Sequence, residues 1–538
     1  MNNIKILDCT LRDGGYINDW CFGNEEIQSI IQKISESAIE IIECGFISEV
    51  EYNPERSLYS KMEYIEKLLP MTNNSDGTMY VGMIALGEKE IAYNKIGPCN
   101  ENGITGIRLT FHKNEVDRVF EYATDLMGKG YQVFIQPVGI ISYSDKEILK
   151  LIERVNLLNP FSFYIVDTLG TMNGEELLRL FYLIDHNLNG DIAIGFHSHN
   201  NLQLSFSNAQ ELINLYTNRE IIIDASVFGM GRGAGNLCSE LIVQFLNDNL
   251  EKKYDLTPLL EVMDEYILPI KKQKEWGYSA PYYLAAINKC HPNYATYLIN
   301  KQTLSMQQIK MIIGNIPNEE RCTFNKKYIE KAYLLFQENY VDDTECVKDL
   351  TEQIQGRKVL VIAPGKSISK EEDKVCEFIH NNDDVIRISV NFKPEVFKPN
   401  YVYVSNLKRV LHQHNTNSQY KQMSKMIVTS NIIRDKNFPK DMAEYVINYA
   451  SYLNEHELVA DNAGLMLLKL LIKCGVKDIY LAGFDGFKAQ VEENYYNKRM
   501  INAVDSDILF EKNKVVAAVI KEMRERAEIH FITNSLYV

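Results

Sequence analysis

Two histidines one residue apart, His197-Ser198-His199, end an apolar run, Ile192-Ala193-Ile194-Gly195-Phe196. Side chains alternate on an extended strand, so residues i and i+2 point the same way and both imidazoles can reach one ion. Near the start, Leu7-Asp8-Cys9-Thr10-Leu11-Arg12-Asp13-Gly14-Gly15 brings a second apolar run to an acid beside a base. One carboxylate and two imidazoles, with positions left open, suit a divalent ion acting as a Lewis acid. Asp13, His197 and His199 are therefore the candidate metal ligands. The neighbouring Arg12 could hold negative charge that develops on a substrate oxygen. A lone His-x-His pair is more often an ordinary strand end, and Arg12-Asp13 is what lifts this one above that reading.

Those residues need a rigid frame. Short apolar runs recur at residues 4–10, 39–46, 80–86, 106–111, 132–138, 162–168, 192–199 and 221–228. Segments of helical spacing lie between them, at residues 25–37, 114–129, 144–158 and 174–188. Strands alternating with helices imply parallel crossovers, and nearly continuous apolar strands imply a sheet buried on both faces. Eight such units over this length predict a (β/α)8 barrel, with an open doubly wound sheet as the alternative. A barrel enzyme gathers its chemistry at the carboxyl ends of the strands. Asp13, Glu43, Arg108, Gln136, Thr168, His197 and His199 all fall there. The last strand runs into Gly229-Met230-Gly231-Arg232-Gly233-Ala234-Gly235-Asn236, whose spacing is not a dinucleotide fingerprint but would allow close approach to an ion or anion.

The chain has 538 residues, enough for two or three domains. Its formal net charge of −15 argues against nucleic acid or an anionic membrane as partner. Ten cysteines without a Cys-x-x-Cys pair fit free thiols in a reducing cytoplasm. No leader-like start and no membrane-length apolar stretch is expected. The barrel is expected over 1–250 and a helical extension over 251–350, with the polar stretch 351–356 as linker. A second, smaller Rossmann-like α/β domain is expected over 356–538. Its first strand ends at Pro364-Gly365-Lys366-Ser367, which is not a P-loop but could offer backbone N–H groups to a phosphate.

Leu7 to Gly15, Val166 to Gly170, Phe196 to Asn200 and Gly229 to Glu240 together resemble the metal-dependent pyruvate aldolase and lyase superfamily. The nearest branch is the 4-hydroxy-2-oxovalerate aldolases, because Gly277-Tyr278-Ser279 is similar to their tyrosine motif after the barrel. The resemblance implies a class II aldolase that makes or cleaves a 4-hydroxy-2-oxo acid. It implies Mn2+ or Mg2+ on Asp13, His197 and His199, a 2-oxo acid and an aldehyde as substrates, and a homodimer. It further implies Arg12 on the enolate oxygen, Thr168 near the pyruvate carboxylate, Tyr278 near the aldehyde oxygen, and Asn236 at or beside the metal. Gln136 completes the candidate substrate-binding set. A related alternative is condensation with an acyl-CoA.

One position departs from that pattern. The aldolases carry a histidine base where this chain has Tyr16. A phenol, with an ordinary pKa near 10 against ~6.5 for imidazole, serves as a base only if strongly shifted. The second domain weakly resembles bacterial sialyltransferases and pterin-diphosphokinase-like proteins. That resemblance implies a nucleotide or nucleotide-sugar, a sugar-derived aldehyde in surface-glycan biosynthesis, or glycosyltransferase activity of this domain. The histidine base of such transferases has no obvious match among His380, His412, His414, His456 and His530.

Overall fold

The structure is a computed structural model. It describes residues 3–538 except 71–76, 88–89, 251–252, 302, 322, 395, 409–423, 436–437, 440–441, 489, 491–492 and 497–505. His412 and His414 lie outside the described residues.

The first eight apolar runs are parallel strands. They are β1 (Ile4–Asp8), β2 (Ile41–Ile47), β3 (Met79–Ala85), β4 (Gly106–Phe111), β5 (Gln132–Pro137), β6 (Ser162–Asp167), β7 (Ala193–Ser198) and β8 (Ile221–Ala225). Each pairs with its neighbour in chain order, and Leu7 of β1 opposite Ile41 of β2 closes the ring next to the β1–β8 ladder. The fold is a (β/α)8 barrel. The helices Asn24–Glu36, Val116–Gly128, Asp145–Leu158 and Gly174–Asp185 lie where apolar spacing predicts them. The first buries Ile27, Ile30, Ile31 and Ile34, one stripe at intervals of three and four.

Among the described residues, the link from β3 to β4 holds only a 3-10 turn, Tyr93–Lys95, and no α-helix. One expectation needs correction. Strand β8 stops at Ala225 rather than Phe228, because Phe228 takes a left-handed conformation at φ 53° and turns the chain.

Period-two alternation decides what fills the barrel. One layer inside is apolar and includes Leu7, Ile41, Val81, Phe134, Tyr164 and Ile222. Two residues further along β2, β5 and β8 stand Glu43, Gln136 and Asp224, buried and polar. Gly195 makes room for a large neighbour, since a Cβ there would lie 2.1 Å from the Tyr164 ring. The crossover helices pack a much larger apolar layer on the outside.

The chain divides into two compact units, Met1–Thr296 with Ile313–Phe324, and Tyr297–Ile312 with Asn325–Val538. The second unit holds a seven-stranded parallel sheet. Its strands are β9 (Val359–Ile362), β10 (Ile386–Val390), β11 (Tyr401–Val404), β12 (Lys425–Thr429), β13 (Tyr445–Ile447), β14 (Asp478–Ala482) and β15 (Glu528–Phe531). Their order is β13-β12-β11-β10-β9-β14-β15, an open sheet whose direction of winding reverses at β9. The three-residue β13 is too short to stand out as an apolar run. The polar stretch from Thr351 is not a linker. It finishes the helix Thr344–Ile354, which buries Val347, Leu350 and Ile354 at helical spacing. No described helix is long and apolar enough to cross a membrane.

Candidate metal centre

Asp13, His197 and His199 come together as the sequence predicts. One donor atom from each, all buried, lies within 4.8 Å of the others. The histidines sit at the end of β7, and Asp13 ends the short helix Thr10–Asp13 that leaves β1. His197 is oriented from behind, its Nδ1 lying 2.9 Å from Asp224 Oδ2, which leaves Nε2 for the site. His199 Nδ1 is buried without a hydrogen-bond partner. Burial first, then the neighbouring His197 and Arg232, pull the His199 pKa down to about 3 against the opposing pull of Asp13. A neutral imidazole with an unpartnered nitrogen is what a metal ligand requires. Burial resists ionisation of Asp13, but Arg12 foremost, then His199 and His197, hold its carboxyl well below the usual carboxylate range.

A continuous ion network supports this triad from inside the barrel. Arg12 Nη1 donates to Asp13 Oδ1 at 2.5 Å and Arg12 Nε to Glu43 Oε2 at 2.8 Å. Glu43 Oε2 also accepts from Arg108 Nη1 at 2.8 Å, and Arg108 Nη2 donates to Asp224. Asp224 in turn meets His197 and accepts from the Tyr164 hydroxyl at 3.0 Å. Gln136, its amide oxygen turned inward, accepts from Arg108 Nε at 2.6 Å. Within this network two guanidiniums face three carboxylates, and the excess negative charge beside the triad favours a cation.

The glycine loop after β8 covers the triad closely. A Cβ on Gly231 would lie 2.4 Å from Asn236 Nδ2 and 2.7 Å from Asp13 Oδ2, so only glycine fits. Asn236 Nδ2 donates to Asp13 Oδ2 at 2.7 Å, and its buried Oδ1 has no hydrogen-bond partner.

Thr168 stands at the end of β6, where its Oγ1 accepts from Gly139 N–H at 2.9 Å and keeps its own proton to donate. Arg12 lies over the Phe46 ring at 5.9 Å, and Tyr16 packs edge-on against Trp20 and Phe46. The Tyr16 phenol is pushed up from its ordinary value, first by the surrounding protein and then by the Asp13 carboxylate. That is the wrong direction for a base. Tyr278 is 60% exposed with Tyr283 as its ring neighbour at 6.4 Å, and among the described contacts it meets neither the triad nor Arg12. Sequence reading gave no role to Asp224, Tyr164 or His291. Asp224 was findable, because it sits in β8 one alternation from Ile222 and is the only charged residue of that strand.

Residues 106–265 match the family described as HMGL-like. The 4-hydroxy-2-oxovalerate aldolase of Geobacillus genomosp. 3 is 26% identical over 277 residues, which is 50% of this chain and 77% of that protein. That of Pseudoalteromonas translucida is 25% identical over 279 residues, again 50% of this chain and 77% of its own length. Among solved structures, the hydroxymethylglutaryl-CoA lyase of Pseudomonas aeruginosa is 14% identical at a TM-score of 0.42, covering 56% of this chain and 98% of that one.

Replacing Arg108 with Met would leave Asp224 without a guanidinium partner and Glu43 with Arg12 alone, adding a buried negative charge that nothing offsets. The expected loss is about 3–5 kcal/mol of stability, measured as a lowered urea midpoint. An unchanged midpoint would show that the network is not a structural necessity.

Proposed function

Residues 106–265 match the HMGL-like family, and from that match we propose that the barrel is a divalent-metal-dependent carbon–carbon lyase. In this reading it is an aldolase that forms or cleaves a 4-hydroxy-2-oxo acid through the enolate of pyruvate or a close 2-oxo acid. The observation that carries the reading is the buried Asp13, His197 and His199 cluster with Arg12 beside it. The donor set fits Mn2+ or Mg2+, because the unpartnered His199 Nδ1 and Asn236 Oδ1 and the net negative charge all await a cation. A bound divalent ion would supply Lewis acidity at the substrate carbonyl.

The chain's own residues supply the rest. Glu43 and Asp13 fix the Arg12 guanidinium, whose remaining N–H groups are then preorganised to donate to an oxyanion. Thr168 keeps a hydroxyl proton for the substrate carboxylate. Tyr16, held in its phenol form, donates to the aldehyde or alkoxide oxygen, and the C3 proton passes to a different acceptor. The buried network excludes water from behind the site, so these dipoles act in a low dielectric.

The second unit supports a separate binding proposal. A cavity of 260 Å³ opens where the winding of the sheet reverses, lined by residues after β9, β10 and β14 and including Asn391, Asn406 and Lys512. Open parallel sheets bind ligands at that point. We propose a nucleotide or nucleotide-sugar as its occupant. The turn at Pro364 to Ser367 does not serve as the phosphate cradle, because Ser367 N–H already donates to Asp485 Oδ2 at 2.7 Å. Titration calorimetry with nucleoside diphosphates should give saturable heats that Lys512→Glu abolishes and Asp13→Asn retains. Flat titrations of the folded protein would contradict the proposal.

Proton NMR of pyruvate in D2O tests the barrel. Methyl exchange should require Mn2+ or Mg2+ and stop with EDTA. It should fall about 100- to 1,000-fold in Arg12→Met and be lost in Asp13→Asn. Exchange should persist in Tyr16→Phe, since Tyr16 is not the base. Loss of exchange in that variant would reassign Tyr16, and no exchange in the metal-loaded wild type would reject the 2-oxo acid enolate.

A further inference from the structure

Arg232 takes no part in the network behind the triad, yet it stands beside the site. It follows Gly231, whose missing Cβ would lie 2.7 Å from Asp13 Oδ2. Its guanidinium lies 5.8 Å from the centre of the Tyr16 ring, and its charge also reaches the Tyr282 phenol and His199. Among the described residues no carboxylate pairs with it, and its one hydrogen-bonding neighbour is His291 Nε2.

That neighbour is not a good acceptor. His291 is 8% exposed, and burial first, then Arg232, lower its pKa to about 3, so the ring is neutral and carries one proton. Its Nδ1 accepts from the Asn293 backbone N–H at 3.2 Å, which leaves the proton on Nε2. Arg232 therefore has only a neutral ring, and no carboxylate, as its hydrogen-bonding neighbour. A guanidinium paired with no carboxylate is completed by an anionic oxygen.

We propose that Arg232 and His291 form an anion subsite at the mouth of the barrel, and that the aldehyde partner carries a carboxylate or phosphate which binds there. The inference rests on the aldolase reading of the barrel. Within that reading it assigns the two ends of the reaction to different cations. Arg12 and the triad serve the 2-oxo acid, and Arg232 recognises the charged tail of the acceptor. Tyr16, lying between them beneath the Arg232 guanidinium, meets the carbonyl that joins the two halves. A neutral aldehyde would leave the Arg232 charge and the His291 N–H without a partner, so an anionic acceptor is selected over it.

The test compares three acceptors with pyruvate on the full-length, Mn2+-loaded protein: propanal, succinic semialdehyde and glyceraldehyde 3-phosphate. Wild type should favour one or both anionic aldehydes over propanal in kcat/KM, and which of the two it favours tells carboxylate from phosphate. Arg232→Met should lower the ratio of anionic to neutral kcat/KM by about 10- to 100-fold, and His291→Phe should lower it less. Equal use of neutral and anionic acceptors by wild type would overturn the subsite. So would a loss of pyruvate exchange in D2O by Arg232→Met, which would assign Arg232 to the 2-oxo acid instead. If wild type exchanges no pyruvate, the aldolase reading has failed, and calorimetry with inorganic phosphate and with succinate then decides the subsite alone. Binding lost in Arg232→Met supports it, and no binding to wild type overturns it.

Discussion

A cation with no access to water stands at the centre of the barrel. Arg108 is fully buried, and an isolated guanidinium there would cost several kcal/mol. It is tolerable only because Glu43 and Asp224 flank it, Gln136 accepts from its Nε, and its Cζ lies 4.9 Å from the centre of the Tyr164 ring. Neither carboxylate ends its work there. Glu43 reaches on to Arg12, and Asp224 reaches on to His197. The ion pair that stabilises the interior therefore also aims the guanidinium and the imidazole of the site. Specification of geometry, rather than net stability, is the best-attested use of such a buried ionic group.

The barrel makes this economical. Alternation along parallel strands turns the residues two beyond an apolar layer into a polar layer at the same height, without any loop having to choose a conformation. Loops supply only what must approach from above. Gly231 lets the chain pass against Asp13, and Asn236 reaches down to donate to the same carboxylate. The open sheet of the second unit uses its own strand ends differently. Its cavity forms where the winding reverses, and the Asp485 carboxylate already accepts from the backbone N–H of Ser367 in the turn after β9.

Much of this was legible in the chain because the signals are local. Seven of the eight barrel strands begin and end within two residues of their apolar runs, and the triad follows from strand-end position and donor type. What escaped was non-local or conformational. Nothing near Asp224 in sequence announces that it meets Arg108, 116 residues away. The left-handed turn at Phe228 is invisible to hydropathy, so β8 read three residues too long. The helical end at Ile354 was hidden by polar neighbours, although Val347, Leu350 and Ile354 carry the correct spacing. The direction of the Tyr16 shift depends on the ring contacts with Trp20 and Phe46 and on Asp13, which only the fold brings together. His291 lies beyond the barrel, and only the fold brings it to Arg232.

The central claim is that the buried network holds Asp13, His197 and His199 ready for one divalent ion. Crystals grown with Mn2+, with diffraction recorded at the manganese absorption edge, test it most directly. The account predicts one anomalous peak in the barrel, at ligand distance from Asp13, His197 and His199, that disappears in Asp13→Asn. A peak elsewhere, or none from well-ordered crystals of the wild type, would contradict it.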